Sequence, residues 1–115
     1  MQNIKIHGMA PAWHSIFSFA LKIKPWFLYL IQCRDGTLYT GITTDVKRRF
    51  FEHGHDSKKA AKYLRGKGPL KLVFKKKIGT RSQALKVEYR VKKLSRREKQ
   101  RINHDTSTKL LFIAD

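Results

Sequence analysis

Residues 26–42 read Trp-Phe-Leu-Tyr-Leu-Ile-Gln-Cys-Arg-Asp-Gly-Thr-Leu-Tyr-Thr-Gly-Ile, and their pattern decides the fold. From Trp26 to Cys33, Phe27, Tyr29 and Ile31 alternate with Leu28 and Leu30, so both faces of the segment are apolar. An extended segment of that kind belongs at the centre of a sheet covered on both sides. Asp35-Gly36 marks a turn, and Thr37 to Ile42 reads as the returning strand of a β-hairpin. Loop length then sets which side chains share a face. A two-residue loop would pair Arg34 with Thr37 and send Tyr29 and Tyr39 to opposite faces. A three-residue loop with Gly36 in a left-handed conformation pairs Cys33 with Thr37 and brings both tyrosines to one face. The three-residue loop is the expected form.

Working outward, Thr43-Thr44-Asp45 offers N-cap residues for a helix to about His53, with Gly54 as its stop. Residues 55–69 form a basic connection containing Arg65-Gly66-Lys67-Gly68-Pro69. Leu70 to Ile78 reads as a third strand. Thr80 with Gln83 makes a capping box for a helix to about Leu94, and Ser95 with Glu98 opens a last one to about Asn103. The order β-β-α-β-α-α predicts one small α/β (α+β) domain over residues 25–103, a three-stranded, mainly antiparallel sheet flanked by helices. Residues 1–24 carry no clear pattern and read as an N-terminal extension; residues 104–115 read as a tail.

Composition narrows the partner. The chain has 115 residues with 26 Lys+Arg against 8 Asp+Glu, a formal net charge of +18. Self-repulsion of that size opposes compaction, so it points to a polyanion, nucleic acid ahead of an anionic membrane surface. No apolar run reaches the roughly 20 residues that span a bilayer. The short run Ile16–Leu21 is followed by Lys22 and Lys24 where a signal peptide would need small residues. The single Cys33 excludes a disulfide framework and a cysteine-based zinc site, and fits a reducing, cytoplasmic location. His53-Gly54-His55 lacks the further ligands of a zinc site, and Gly66-Lys67-Gly68 is too short for a phosphate-binding P-loop. Trp13 and Trp26 read as packing residues.

The helices carry charges in unexpected places. Val46, Arg49, Phe50 and His53 recur at i, i+3, i+4 and i+7 and share one face. A buried guanidinium needs a partner. Arg49 either snorkels past the core edge or serves a site, and His53 is either satisfied by backbone or takes part in chemistry. In the second helix Ala84, Val87, Val91 and Leu94 form the core stripe, and Glu88 falls on its shoulder. Glu88 is either a salt-bridge partner or a metal ligand. The outer face carries Lys86, Arg90 and Lys93, continuing towards Arg97, and the connection adds Lys62, Arg65 and Lys67. All seven are candidate phosphate contacts, against the alternative of a solvated surface.

One carboxylate, one arginine, one histidine and two tyrosines beside a sheet can hydrolyse a phosphodiester. A carboxylate can hold a hard divalent cation, and an arginine can stabilise charge on phosphorus. A tyrosine or histidine can handle the proton of the attacking water. A tyrosine base needs a nearby cation or hydrogen bond, because its reference pKa is about 10.

Phe27-Leu28-Tyr29 and Tyr39-Thr40-Gly41 resemble the two signature tripeptides of GIY-YIG nucleases; the first departs from Gly-Ile-Tyr but keeps its tyrosine. Arg49 follows Tyr39 by ten positions and His53 by fourteen. From Pro25 to about Arg101 the chain is similar to small single-domain members of the YhbQ type, in Pro-Trp-Phe-Leu-Tyr-Leu, Leu-Tyr-Thr-Gly-Ile-Thr-Thr-Asp-Val, Leu-Arg-Gly-Lys-Gly and Glu-Tyr-Arg-Val-Lys. The resemblance implies Tyr39 as general base and Tyr29 as a residue shaping the site or sharing the proton work. It implies Arg49 as transition-state stabiliser, His53 as its assistant in proton transfer or water positioning, and Glu88 as the ligand of Mg²⁺ or Mn²⁺. Some members carry a lysine just after the second tripeptide; here the residues are Ile42-Thr43-Thr44. Others use a later asparagine, for which Asn103 is the only nearby residue. The implied activity is metal-dependent endonucleolytic cleavage of nucleic acid, DNA ahead of RNA, read by backbone or structure because no recognition helix or zinc finger is apparent. The rivals are a nucleic-acid-binding module with the same fold and an accessory subunit directed by a protein partner.

Overall fold

In the computed structural model, which describes residues 23–102, β1 (Trp26–Gln32) is the middle strand, flanked by β2 (Leu38–Thr43) and β3 (Lys71–Gly79) in the order β2-β1-β3. Both pairings are antiparallel. Central position and double burial go together: Leu28, Tyr29, Leu30 and Ile31 are each at most 2% exposed.

The hairpin takes the three-residue loop. Ile31 pairs with Tyr39 and Tyr29 with Gly41, and the Cys33 amide donates to the Thr37 carbonyl at 2.9 Å. Gly36 sits at φ +86°, a left-handed conformation that side chains disfavour. Asp35 closes the loop by accepting from the Thr37 amide and hydroxyl. Tyr29 and Tyr39 therefore share a face.

Helix α1 (Val46–His55) starts at Asp45, whose side chain accepts from the Arg48 amide at 3.0 Å. Gly54 does not end it. The helix continues to His55 and is capped by Asp56, and Gly54 is absent from the positive-φ glycines. An Asp56 amide bond to the Glu52 carbonyl satisfies the last turn instead. A 3₁₀ turn (Lys62–Leu64) interrupts the basic connection before β3. Helices α2 (Arg81–Lys92) and α3 (Arg96–Gln100) both open with complete capping boxes, Thr80 with Gln83 and Ser95 with Glu98. They stop short of Leu94 and of Asn103, which lies outside the described residues, as do the proposed extension up to Lys22, Trp13 and the tail. The break at Lys93–Ser95 sets Arg97 on a separate helix, so the basic ridge is not one helix face.

Two cores sandwich the sheet. On one face Leu28 and Leu30 pack against Val87, Val91 and Ile102. On the other, Tyr29, Ile31 and Cys33 pack with Val46 and Leu64, flanked by Tyr39 and Phe50. Each fully buried aliphatic side chain contributes about 1.5–3 kcal/mol. Thus α2 covers the leucine face and α1, with the 3₁₀ turn, covers the tyrosine face.

Candidate active site

The tyrosine face holds a cluster of rings built from three elements. The Tyr29 hydroxyl lies 2.8 Å from His53 Nε2. The Tyr39 ring meets the His53 ring edge-on at 5.5 Å between centroids and the Tyr29 ring at 6.3 Å. Gly41 makes room for this: a Cβ built there would lie 2.9 Å from Tyr29 Cε1 and closer still to the hydroxyl. Cross-strand pairing puts Tyr29 directly opposite Gly41, so the ring lies over a position without a side chain.

The hydrogen bonds of His53 define its proton. The Ala61 amide donates to Nδ1 at 3.1 Å, so Nδ1 bears the lone pair. The neutral ring then carries its hydrogen on Nε2 and donates it to the Tyr29 oxygen, leaving the tyrosine's own proton for another acceptor. Burial, with the Arg49 charge adding to it and Glu52 opposing it, pushes His53 down to about 4 from an ordinary 6.5. Burial, reinforced by Tyr39, raises Tyr29 above its ordinary value, while Arg49 pulls it back and Glu88 adds to the rise.

The His53 shift has a measurable consequence. The unfolded chain takes a proton at His53 near pH 6.5, whereas the folded chain resists it down to about 4. Unfolding therefore takes up a proton in that window, and His53's contribution is complete above pH 6.5 and lost as pH falls towards 4. The urea midpoint is expected to drop over this range in the wild type. His53→Gln should start lower and show a shallower drop. A wild-type midpoint flat from pH 6.5 to 4 would contradict the neutral, buried imidazole.

Arg49 is held rather than snorkelling freely. Its Nη1 donates to the Lys59 carbonyl at 2.7 Å and to Glu52 Oε1 at 3.2 Å. A guanidinium has five N–H donors, so this anchorage leaves others for an anionic ligand. Glu88 comes from the opposite layer. It adjoins the buried Val87 on α2, with a side chain 17% exposed and Oε2 3.4 Å from the exposed Lys92 ammonium. Among the influences on Tyr29, Glu88 ranks last, behind burial, Tyr39 and Arg49.

Among the described residues no three His, Cys, Asp or Glu gather around a common point. A single carboxylate still suits Mg²⁺, which keeps several waters and is completed by substrate phosphate oxygens.

The phosphate-contact candidates fall in two places. Lys62, Arg65 and Lys67 lie on and after the 3₁₀ turn, and the Lys67 ammonium sits 3.5 Å from the centroid of the Tyr63 ring. Lys86, Arg90 and Lys93 lie along α2, with Lys93 over the Tyr89 ring, and exposed Arg97 lies beyond the break. The sequence reading missed Lys75 and Lys77. Pairing with Tyr29 and Phe27 puts both on the tyrosine face, exposed. Irregularities in the β1–β3 register at either end of this stretch hide that placement from simple alternation. It also missed Tyr63, whose ring stacks on Tyr39 at 6.1 Å and 21°.

The sequence that builds this hairpin and its helices matches a known family. The model of the GIY-YIG catalytic domain matches residues 25–103, and the chain belongs to that family, a nuclease superfamily. It is 60% identical over 80 residues to the UPF0213 protein YhbQ of Escherichia coli K12, covering 70% of this chain and 78% of the relative. It is 56% identical over 80 residues to a UPF0213 protein of Cronobacter sakazakii, covering 70% and 82% respectively. The solution NMR structure of a UPF0213 protein from Bacillus halodurans is 45% identical, covering 68% of this chain and 81% of that one, with a TM-score of 0.43.

Proposed function

We propose that the chain is a metal-dependent endonuclease that hydrolyses phosphodiester bonds in nucleic acid, DNA in preference to RNA, in the cytoplasm. One observation carries this reading. Tyr29, Tyr39 and His53 gather on one face of the hairpin, and Arg49, on the same helix as His53, is anchored by the Lys59 carbonyl and Glu52. A protein that only gripped a backbone would need the basic surface but not a buried tyrosine hydrogen-bonded to a histidine on the helix of an anchored arginine.

Tyr39, more accessible than Tyr29, takes the proton of the attacking water. Tyr29 stays protonated, held in place by the Nε2–H of His53, and donates its hydroxyl proton to a phosphate oxygen or to the water. His53, with both ring nitrogens engaged, orients Tyr29 rather than meeting water itself. The guanidinium of Arg49, pre-set by Lys59 and Glu52, stabilises charge developing on the phosphoryl oxygens. Glu88 is the residue that would hold Mg²⁺ or Mn²⁺, and the ion would supply positive charge for a phosphate oxygen and the leaving group. Lys75 and Lys77 extend the positive surface across the tyrosine face, and Lys62, Arg65 and Lys67 continue it beyond Tyr63. Contacts of this kind follow the backbone, not the bases.

The test is incubation with supercoiled plasmid and branched DNA, with Mg²⁺, with Mn²⁺ and with EDTA. Nicking in either metal and none in EDTA is the expected result. Tight binding with no cleavage under any condition would instead define a nucleic-acid-binding module.

A further inference from the structure

Tyr63 has no place in the chemistry above, yet it is one of the most distinctive surface residues. The residue is 45% exposed, unlike Tyr29 at 2%, so core filling does not account for it. The next residue, Leu64, is 2% exposed and packs with Tyr29 and Ile31, which fixes the turn that carries Tyr63. A backbone bond from Arg34 to the Lys67 carbonyl at 3.0 Å ties the far end of the same loop to the hairpin. Tyr63 is thus presented from a pinned turn, stacked on Tyr39, with Lys62, Arg65 and Lys67 around it in sequence.

We infer that Tyr63 is a stacking platform for an unpaired nucleobase next to the scissile phosphate, so that the substrate is nucleic acid with a single-stranded segment. The inference rests on the proposed nuclease reading and deepens it. Stacking on an aromatic ring requires a free base face, which the bases of an intact duplex do not offer. The Lys67 ammonium now over the ring occupies the place of such a base. An exposed cation–π contact is worth about 2- to 5-fold in affinity, whereas stacking of a base is worth roughly 5- to 150-fold. A base therefore displaces the ammonium, which is free to move to an adjacent phosphate. The ring's contact with Tyr39 sets the stacked nucleotide beside the general base.

The experiment compares binding, in EDTA so that no cleavage intervenes, of two DNA probes with equal numbers of phosphates. One is a fully paired duplex and the other a fork whose unpaired arm carries 2-aminopurine near the junction. For Tyr63→Ala, affinity for the fork is expected to fall about 10-fold while affinity for the duplex stays within 2-fold. Tyr63→Phe should bind both probes as wild type does. Wild-type binding should quench the 2-aminopurine, and Tyr63→Ala should not. Equal loss on both probes, or no loss on the fork, overturns the platform even if the protein cleaves DNA. Failure of the wild type to bind either probe overturns the nuclease reading and this inference with it. Because Tyr63 is exposed, the alanine variant is expected to keep its fold, which circular dichroism checks.

Discussion

Glu88→Ala is expected to lower metal-dependent nicking by about a thousandfold or more while DNA binding stays within about threefold. Removing one preorganised hydrogen-bond donor from an active site commonly costs about a hundredfold to a thousandfold in rate, and a charged group is expected to cost at least as much. Here the same change also removes the carboxylate that would retain the cation. Binding survives for a simple reason. A chain of net charge +18 loses a negative group, which does not weaken attraction to a polyanion. Folding survives as well, because the pair with Lys92 is long, at 3.4 Å, and the lysine is over half exposed. Glu88→Gln should behave like the alanine variant in cleavage, since shape is kept and charge is not. Nicking by Glu88→Ala at the wild-type rate would refute the assignment and point to another site or a contaminant.

Gly41→Ala is expected to destabilise the fold by about 1–3 kcal/mol and to depress nicking at least a hundredfold. The added carbon would overlap the hydroxyl and ring of Tyr29. That ring is 2% exposed, packed in the second core and hydrogen-bonded to His53, so it has nowhere to retreat. The strand must shift or the ring must abandon His53; either moves the tyrosines relative to Arg49. Gly54→Ala is the matched control. Gly54 is helical, exposed and has open space where the Cβ would go, so alanine there should stabilise by about 0.5–1 kcal/mol and leave nicking unchanged. A Gly41→Ala protein with wild-type thermal midpoint and activity would show that the close approach of Tyr29 is not needed.

The hairpin and the placing of its candidate residues are legible because local signals agree. Asp35-Gly36 and the alternation in β1 set the register, and that register puts both tyrosines on one face. The helical spacing of Arg49 and His53 and the shoulder position of Glu88 followed from 3.6-residue periodicity, and both capping boxes formed. What eluded the sequence depends on contacts between segments. Gly54 resembled a helix stop, but Asp56 provides the cap and the chain runs one residue past it. Tyr63 lies in a connection without periodicity, and its position follows from Leu64 reaching the core. Lys75 and Lys77 face the tyrosines because the β1–β3 register shifts between Leu30 and Ile31.

The segment between α1 and the 3₁₀ turn grips two site residues at once, through its main chain: the Lys59 carbonyl takes Arg49 and the Ala61 amide takes His53. Main-chain groups are supplied by almost any amino acid, so the exposed positions 58 and 59 are free to drift in identity. Their number is not. One residue inserted or deleted here would release guanidinium and imidazole together. The segment therefore acts as a ruler, tolerant of spelling and intolerant of length.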